Sequence, residues 1–239
     1  EIPDCKILSR EISSTLLQIG SLGRANTEFH LLQSQKTGTV AVSVLEGKKL
    51  IPLPGFEPSV EEDYGFGSLT LHSHGFVQSN PFITTEIIED LQNVSRDSER
   101  VCELFCGCGT FSLVLAGSAS RLYGYDVSPL AIQTAKTNFL RSNLSNGEFF
   151  AGDLNRLKKL PLVNTIVADP PRKGLGKHVC RLINRSKAEK LIYVSCNPTS
   201  LARDIRELTG QGGFRLDELK GYDMYCHATH LELLAVLKR

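Results

Sequence analysis

The chain has 239 residues, 41% of them hydrophobic, and a formal net charge of +1. This length allows one large α/β domain or a medium domain with a smaller one, and the near-zero charge neither requires nor excludes nucleic acid. Seven cysteines form no disulfide framework and no signal peptide is recognisable, so we expect a reducing, cytoplasmic location. No apolar run reaches transmembrane length and nothing demands an oligomer, so we expect a monomer without a membrane partner.

The first 80 residues differ from the rest of the chain. Apolar residues at helical spacing predict a helix over 11–22. The segments 28–32 and 39–44 flank a glycine-containing turn and predict two antiparallel strands, and a third short strand is expected at 68–72. We therefore predict a small antiparallel module over residues 1–80.

From residue 81 onward, helical and strand patterns alternate. This alternation is typical of a doubly wound, mostly parallel sheet, so residues 81–239 are predicted to form a Rossmann-like α/β domain. No helix separates the last two strands, so one of them is expected to be antiparallel. The predicted helices are 82–91, 111–116, 128–140, 176–185 and 201–208, and the predicted strands are 100–105, 122–125, 148–151, 164–168, 191–194, 214–219 and 231–238.

Cys196 follows one of these strands, the short apolar run 191–194. An Asn-Pro turn then ends the strand. In an open α/β sheet the carboxyl ends of the strands border the ligand crevice, so a thiol at this position can attack a bound substrate. The alternative is that Cys196 is a small buried hydrophobic residue, which is the common role of a free cysteine.

A glycine turn follows the first strand of this domain. Gly107 and Gly109 let the backbone approach a ligand closely, but the full G-x-G-x-x-G motif is absent, so a pyrophosphate is not indicated. Asp126 and Asp153 end the next two strands, where carboxylates accept hydrogen bonds from ribose hydroxyls and an adenine amino group. The combination predicts S-adenosylmethionine as cofactor. The alternative is a glycine turn beside two solvated aspartates.

The substrate side is expected at residues 169–174, Asp-Pro-Pro-Arg-Lys-Gly, which follow the fourth strand. Enzymes that methylate exocyclic amines often carry an aromatic residue where Arg172 stands, and cytosine-C5 enzymes often place their cysteine in this turn. Neither pattern is present. Glu232 stands at the mouth of the last buried strand, where a carboxylate is costly without a purpose or partner. It is either a general base, half of a salt bridge or an edge residue.

Together these segments resemble the RNA uracil-5-methyltransferase family of the TrmA and RumA type, whose members are class I methyltransferases. The resemblance rests on Phe-Val-Gln-Ser-Asn at 76–80, the glycine turn, Asp-Pro-Pro-Arg at 169–172, Ser-Cys-Asn-Pro at 195–198 with the following Leu-Ala-Arg-Asp, and His-Leu-Glu at 230–232. It implies that Cys196 is the nucleophile and Glu232 the base. The predicted cofactor contacts are Gln78, Phe105, Gly107, Gly109, Asp126, Asp153 and Asp169, and the predicted substrate contacts are Asp169, Arg172, Lys173 and Arg203.

For Arg172, Lys173, Arg203 and the nearby Lys177, an ordinary surface charge is the alternative to a contact with RNA phosphate or with the pocket. The paired cysteines of the glycine turn, Cys106 and Cys108, lack a second pair at metal-ligand spacing and are expected to be packing residues.

Residues 2–8 resemble the segment that carries the fourth cysteine ligand of a [4Fe–4S] cluster in the RumA branch. The three earlier ligands and the RNA-binding TRAM domain are absent, so we expect a chain that has been trimmed or that is a compact member. Cys5 alone cannot build a cluster, and no metal site is predicted. The Cys5 segment favours ribosomal over transfer RNA as substrate.

The implied reaction is S-adenosylmethionine-dependent methylation at C5 of a uridine in RNA. Uracil C5 becomes a good nucleophile only after a thiolate adds at C6, and a base must then remove the C5 proton. The target base has to leave its stack to be reached. The alternatives are a transfer RNA substrate, a noncovalent methyltransferase of the same fold that does not need Cys196, and an RNA-binding fragment without its upstream domain.

Overall fold

The computed structural model describes residues 8–239 apart from 21, 23–26, 48, 74, 79, 212, 225–227 and 229. The chain divides into two compact units, Glu1–Val77 and Gln78–Arg239. Among the described residues no helix is long and apolar enough to cross a membrane. Cys5 and Ser79, which belong to segments singled out in the sequence, lie outside the described set, as do Cys226, His227 and Thr229.

The smaller unit contains one helix and two antiparallel sheets. Strands β1, β2 and β3 form one sheet and β4 pairs with β5 in the other. The predicted helix and three predicted strands are present, whereas β3 and β4 were not predicted. The bounds are α1 Arg10–Gly20, β1 Phe29–Gln33, β2 Val40–Glu46, β3 Lys49–Pro52, β4 Ser59–Asp63 and β5 Ser68–His72.

The two missed strands have physical explanations. β3 ends at Pro52 and β4 is rich in acidic residues, which have low strand propensity. Within β4, Glu62 is nevertheless buried because its carboxylate accepts the backbone N–H groups of Gln35 at 2.7 Å and Asp63 at 3.0 Å. Contacts that come from distant parts of the chain therefore override the local preference.

The larger unit is the predicted α/β fold. Its seven strands are ordered β11-β12-β10-β9-β6-β7-β8, and all neighbours are parallel except β12, which is antiparallel to β10 and β11. The bounds are α2 Pro81–Ser95, β6 Arg100–Leu104, α3 Thr110–Ala116, β7 Arg121–Asp126, α4 Pro129–Arg141, β8 Gly147–Ala151, a 3-10 helix Leu154–Arg156, β9 Thr165–Ala168, α5 Gly176–Arg185, β10 Lys190–Ser195, α6 Pro198–Gln211, β11 Arg215–Tyr222 and β12 Glu232–Lys238.

The strand order creates a topological switch point. The chain runs outward from β6 to β8 on one side and then returns to β9 on the other side of β6. Ligands of open α/β sheets bind at this point, outside the carboxyl ends of the strands. Because parallel crossovers are right-handed, the reversal also places α3 and α4 on one face of the sheet and α5 on the other.

The centre of this sheet is fully buried. All side chains of β9 and nearly all of β10 and β12 are shielded from solvent, as expected for strands covered on both faces. Each large apolar side chain buried here contributes roughly 1.5–3 kcal/mol. These strands therefore fix the positions of the residues that follow or precede them at the carboxyl edge.

Candidate active site

Cys196 lies where predicted, directly after β10, and it is partly buried. The turn behind it is held by Asn197, whose Oδ1 accepts the N–H of Thr199 at 3.0 Å. The Asn197 amide also donates to the backbone carbonyl of Arg172 at 3.0 Å. The cysteine turn and the loop after β9 are therefore joined directly.

Glu232 is the first residue of β12 and lies beside the cysteine. Ser195 of β10 pairs with Leu233 of β12, and extending this antiparallel register by one residue places Cys196 opposite Glu232. Glu232 is only 1% exposed, and its Oε1 has no hydrogen-bond partner among the described residues. Since β12 is an interior strand and no described cation pairs with this carboxylate, the edge and salt-bridge alternatives do not hold for the described part of the chain.

Asp169 completes a cluster with these two residues. It follows β9 immediately, and its Oδ2 accepts a hydrogen bond from Gln78 Nε2 at 3.3 Å. Burial raises the pKa of Asp169 to about 7. Burial, together with the nearby Asp169, raises the pKa of Glu232 to about 8. Both carboxyl groups are therefore poised to exchange protons near neutral pH.

The same surroundings act on the thiol. Burial raises the pKa of Cys196 above its usual value, the carboxylates of Glu232 and Asp169 raise it further, and Arg172 opposes the shift. In the free protein Cys196 is therefore a thiol at neutral pH. Protonation of a neighbouring carboxylate removes negative charge and therefore lowers the pKa of this thiol.

The glycine turn has the backbone geometry of a ligand cradle. Gly107 and Gly109 have φ angles of +53° and +88°, and Phe105 also lies in the left-handed region at +63°. A side chain at Gly107 would meet nothing within 4 Å, whereas one at Gly109 would come within 3.2 Å of Ala135 Cβ. Gly107 therefore faces open space and Gly109 allows α3 to approach α4 closely.

Asp126 is held in one orientation beside this turn. Its Oδ2 accepts the N–H of Gly107 at 3.0 Å and its Oδ1 accepts the N–H of Ser128 at 2.8 Å. Each oxygen keeps a further lone pair. Asp153 lies at the end of the neighbouring β8 and is exposed; its Oδ1 accepts the backbone N–H of Asn155 at 2.9 Å, and this bond lowers its pKa.

Glu103 is a buried carboxyl group near these residues that the sequence reasoning did not single out. It is only 2% exposed on β6, and its carboxyl group accepts a hydrogen bond from Ser112 of α3. Burial, with smaller contributions from the negative charges of Asp169 and Asp126, raises its pKa to about 8. An acidic residue inside an apolar strand was the available signal.

The predicted cations differ in their surroundings. Arg172 is exposed and its Nη2 lies 2.8 Å from a ring nitrogen of His230, while Lys173 is exposed at the end of the same loop. Arg203 instead donates to Asp204 Oδ1 at 2.8 Å and to the carbonyl of Lys173 at 2.7 Å. Its guanidinium therefore fastens the loop after β9 to α6.

Asp204 is the centre of this fastening. Its Oδ2 accepts the N–H of Leu175 at 2.7 Å and the hydroxyl of Tyr193 at 2.9 Å. A Cβ at Gly174, whose φ is +77°, would overlap that oxygen. Asp204 therefore fixes the loop that carries Asp169 and Arg172, although it lies outside the pocket.

The fold and these residues can be compared with known proteins. The family model described as tRNA (Uracil-5-)-methyltransferase matches residues 68–239. This chain belongs to that family. The resemblance seen in the sequence is thereby confirmed.

Among the described residues, no group of three His, Cys, Asp or Glu side chains is placed to hold a metal ion.

Curated relatives align with most or all of this chain. A protein described as "Uncharacterized RNA methyltransferase" from Bacillus cereus is 31% identical over 245 residues, which is 100% of this chain and 51% of the relative. An RNA methyltransferase from Oceanobacillus iheyensis, also described as uncharacterized, is 34% identical; the alignment covers 85% of this chain and 45% of the relative. The chain thus spans about half the length of the curated relatives it matches.

Solved structures confirm the fold. The Pyrococcus abyssi tRNA (uracil-54, C5)-methyltransferase in complex with S-adenosyl-L-homocysteine has a TM-score of 0.82 at 23% identity, covering 99% of this chain and 69% of that one. The N-methyltransferase NodS of Bradyrhizobium japonicum has a TM-score of 0.55 at 20% identity, covering 68% of this chain and 99% of that one.

Proposed function

We propose that this chain transfers a methyl group from S-adenosylmethionine to C5 of a uridine in RNA through a covalent bond between Cys196 and uracil C6. The observation that carries the proposal is the pairing of β10 with β12, which sets Cys196 opposite Glu232. Asp169 lies close enough to raise the pKa values of both. A nucleophile and a base on one side of one pocket are the two groups that this reaction requires.

The residues around the glycine turn fit the cofactor. The open side of Gly107 admits a ligand against the backbone, and Asp126 offers its remaining lone pairs to ribose hydroxyls. Phe105 and Gly109 shape the turn, Gln78 and Asp169 border it on the substrate side, and Asp153 is proposed to face the adenine. S-adenosylmethionine, when bound there, supplies an electrophilic methyl group.

Cys196 performs the first step on the uracil. Its sulfur adds to C6, the electrons of the C5–C6 double bond move to C5 and O4, and C5 becomes nucleophilic. The thiol must lose its proton for this addition, and the carboxylates of Asp169 and Glu232 are the nearby acceptors. Asp169, once protonated, can donate a hydrogen bond to the oxygen where negative charge develops.

Glu232 performs the last step. After methylation, C5 carries both the methyl group and its original proton. Glu232 takes that proton, the double bond re-forms, and the sulfur leaves from C6 as thiolate. A pKa of about 8 makes its carboxylate a stronger base than an ordinary glutamate.

The uracil has to enter this pocket out of its stack. We propose that Arg172 and Lys173, exposed on the loop after β9, contact the flanking phosphates, and that Arg203 acts by holding that loop. Residues 81–239 are proposed to form the methyltransferase domain, with residues 1–80 as a separate module. The Cys5 segment favours ribosomal RNA, whereas the family description names transfer RNA, so both are substrates to test.

Covalent trapping tests the proposal. The protein is incubated with S-adenosylmethionine and 5-fluorouridine-substituted ribosomal or transfer RNA, and then run on a denaturing gel. Fluorine cannot leave as a cation, so the Cys196 adduct should persist as a shifted band, and sequencing the trapped RNA identifies the uridine. Cys196→Ala should abolish the band, whereas the matched Cys180→Ala, a thiol buried in α5, should keep it. A band that survives Cys196→Ala contradicts the covalent role.

A further inference from the structure

We propose that a basic groove along α5 binds the phosphate backbone of the RNA on one side of the target uridine. The groove consists of Arg156, Lys158, His178, Arg181 and Arg185 with the apolar residues between them. This inference rests on the proposed function, because it assigns a path to the RNA that the pocket would methylate. It concerns a surface separate from the cysteine, the two carboxyl groups and the glycine turn.

The charge of this region departs from that of the chain. The segment 154–187 contains nine lysines and arginines but only one acidic residue, Asp169, whereas the whole chain has 27 basic and 26 acidic residues. Since Asp169 belongs to the pocket, the surface of the segment is almost purely cationic. A local excess of this kind is the electrostatic signature of a nucleic-acid contact within a chain of balanced charge.

The groove has a defined shape. It encloses about 300 Å³ between α5 and the segment that follows the 3-10 helix. His178 Nε2 lies 3.0 Å from the carbonyl oxygen of Leu157, and this contact ties the two walls together. The cations therefore stand on two connected walls that face a common space, where one phosphate can meet more than one of them.

Three cations on α5 are spaced so that they repel one another, which destabilises the helix. Lys177, Arg181 and Arg185 follow one another at four-residue intervals, which sets like charges side by side on the helix surface. The helix contains no acidic residue, and no described carboxylate lies within ion-pair distance of these three side chains. Unpaired neighbouring cations are favourable when a polyanion binds across them.

The groove adjoins the loop that follows β9. The loop that carries Arg172 and Lys173 leads directly into α5. The positive charges of Arg156 and Lys173 both lower the pKa of Asp153, so one cation of the groove and one of the loop lie near the same carboxylate. From Lys177 to Arg185 the helix extends about 12 Å, which is long enough to follow more than one phosphate.

Neutralising two groove cations tests the inference. Arg181→Gln with Arg185→Gln is compared with a matched control outside the groove, Arg96→Gln with Lys136→Gln. Affinity for a fluorescently labelled RNA stem–loop with uridines in its loop is measured without S-adenosylmethionine at several salt concentrations. We expect the groove variant to bind roughly tenfold more weakly, with a salt slope smaller by about 1–2, and the control to stay within about twofold of the parent.

The outcomes separate this inference from the proposed function. Thermal unfolding should show the groove variant at least as stable as the parent, because like-charge repulsion is removed, and adduct formation should need more RNA without losing Cys196 dependence. Equal affinities of groove and control variants, with a parent that still forms the adduct, overturn the groove but leave the function standing. A parent that neither binds the RNA nor forms the adduct overturns both.

Discussion

Two carboxyl groups of the larger unit are equally buried but differ in their hydrogen bonds. Asp204 is 2% exposed and Glu232 is 1% exposed, and each is connected to β10. Asp204 accepts hydrogen bonds from the Tyr193 hydroxyl, from a backbone N–H and from a guanidinium, so both of its oxygens are satisfied. Glu232 has an oxygen without a partner among the described residues, and its pKa is raised to about 8.

This difference in hydrogen bonding predicts a structural role for Asp204 and a role in proton transfer for Glu232. A buried carboxylate with several donors remains ionised and holds the segments that supply them. A buried carboxyl group without donors destabilises the folded state when it is ionised, yet it is a stronger base for that reason. We therefore expect substitution of Asp204 to act first on stability, and substitution of Glu232 to act first on the reaction.

The largest effect is expected for Glu232→Gln. An amide cannot take the C5 proton, so breakdown of the methylated adduct should slow by roughly 10²–10⁴-fold. The free energy of unfolding at pH 8 should rise by ~1–3 kcal/mol, because an unsatisfied buried charge is removed. Single-turnover assays with unmodified RNA, gel detection of the adduct and urea unfolding measure these changes.

Glu218→Gln is the control for that substitution. Glu218 is exposed on the neighbouring strand β11, so the same change from acid to amide is made outside the pocket. It should alter neither adduct breakdown nor stability. If Glu232→Gln instead lowers stability and leaves adduct breakdown unchanged, Glu232 belongs with Asp204 as a supporting residue.

The next largest effect is expected for Asp204→Ala. It leaves the guanidinium of Arg203, the hydroxyl of Tyr193 and the N–H of Leu175 without their acceptor. The Arg203 side chain is 56% exposed, so the loss comes mainly from the two buried donors, at about 1–3 kcal/mol for each donor left without an acceptor. Urea unfolding measures the loss, and Asp217→Ala, which removes an exposed ion pair with Lys238, should have little effect by comparison. Similar losses in both variants would refute the special role of Asp204.

Local patterns account for the elements and the positions of most site residues. Helix α5 occupies the residues predicted for it, and Ser128 caps α4 through its hydroxyl, which accepts the N–H of Ala131 at 3.2 Å. Cys196 and Asp169 follow strands that are continuous apolar runs, so their place at the carboxyl edge was readable from the sequence.

The pairing of strands and side chains from distant segments could not be predicted from the sequence. The register that sets Cys196 opposite Glu232 joins β10 to β12 across α6 and β11, and no local pattern specifies it. The buried positions of Glu103 and Asp204 were missed for the same reason. Their partners, Ser112 and Tyr193, come from other elements, and a short sequence window contains only an acidic residue among apolar ones.

A smaller effect is expected in the pH dependence of stability. The pKa values of Asp169, at about 7, and of Glu232 and Glu103, at about 8, exceed their ordinary values of 3.8 and 4.5. The folded state therefore binds these protons more tightly than the unfolded state. Their contribution to stability is complete below about pH 4 and is lost as the pH rises through these folded-state values.

Urea unfolding between pH 5 and pH 8.5 measures this dependence. We expect stability to fall steadily across the interval, and Asp169→Asn with Glu232→Gln to flatten the curve. Exposed carboxylates with lowered pKa values, such as Asp97 beside Lys190, lose their contribution only at more acidic pH. A curve that is equally steep in the parent and the double variant would contradict the raised pKa values.

The smallest effect is expected for Tyr193→Phe, which removes one donor from Asp204 and leaves the ring in the core. Oδ2 of Asp204 still accepts the N–H of Leu175 at 2.7 Å, so the carboxylate loses one hydrogen bond but is not left without donors. The loss should be about 1 kcal/mol, the usual net value of one hydrogen bond, and well below that of Asp204→Ala. Tyr123→Phe, whose hydroxyl is 3.4 Å from exposed Arg100, is the matched control and should have no measurable effect. If Tyr193→Phe cost as much as Asp204→Ala, the support would come from the tyrosine hydroxyl, and the contrast between the two carboxyl groups would lose its basis.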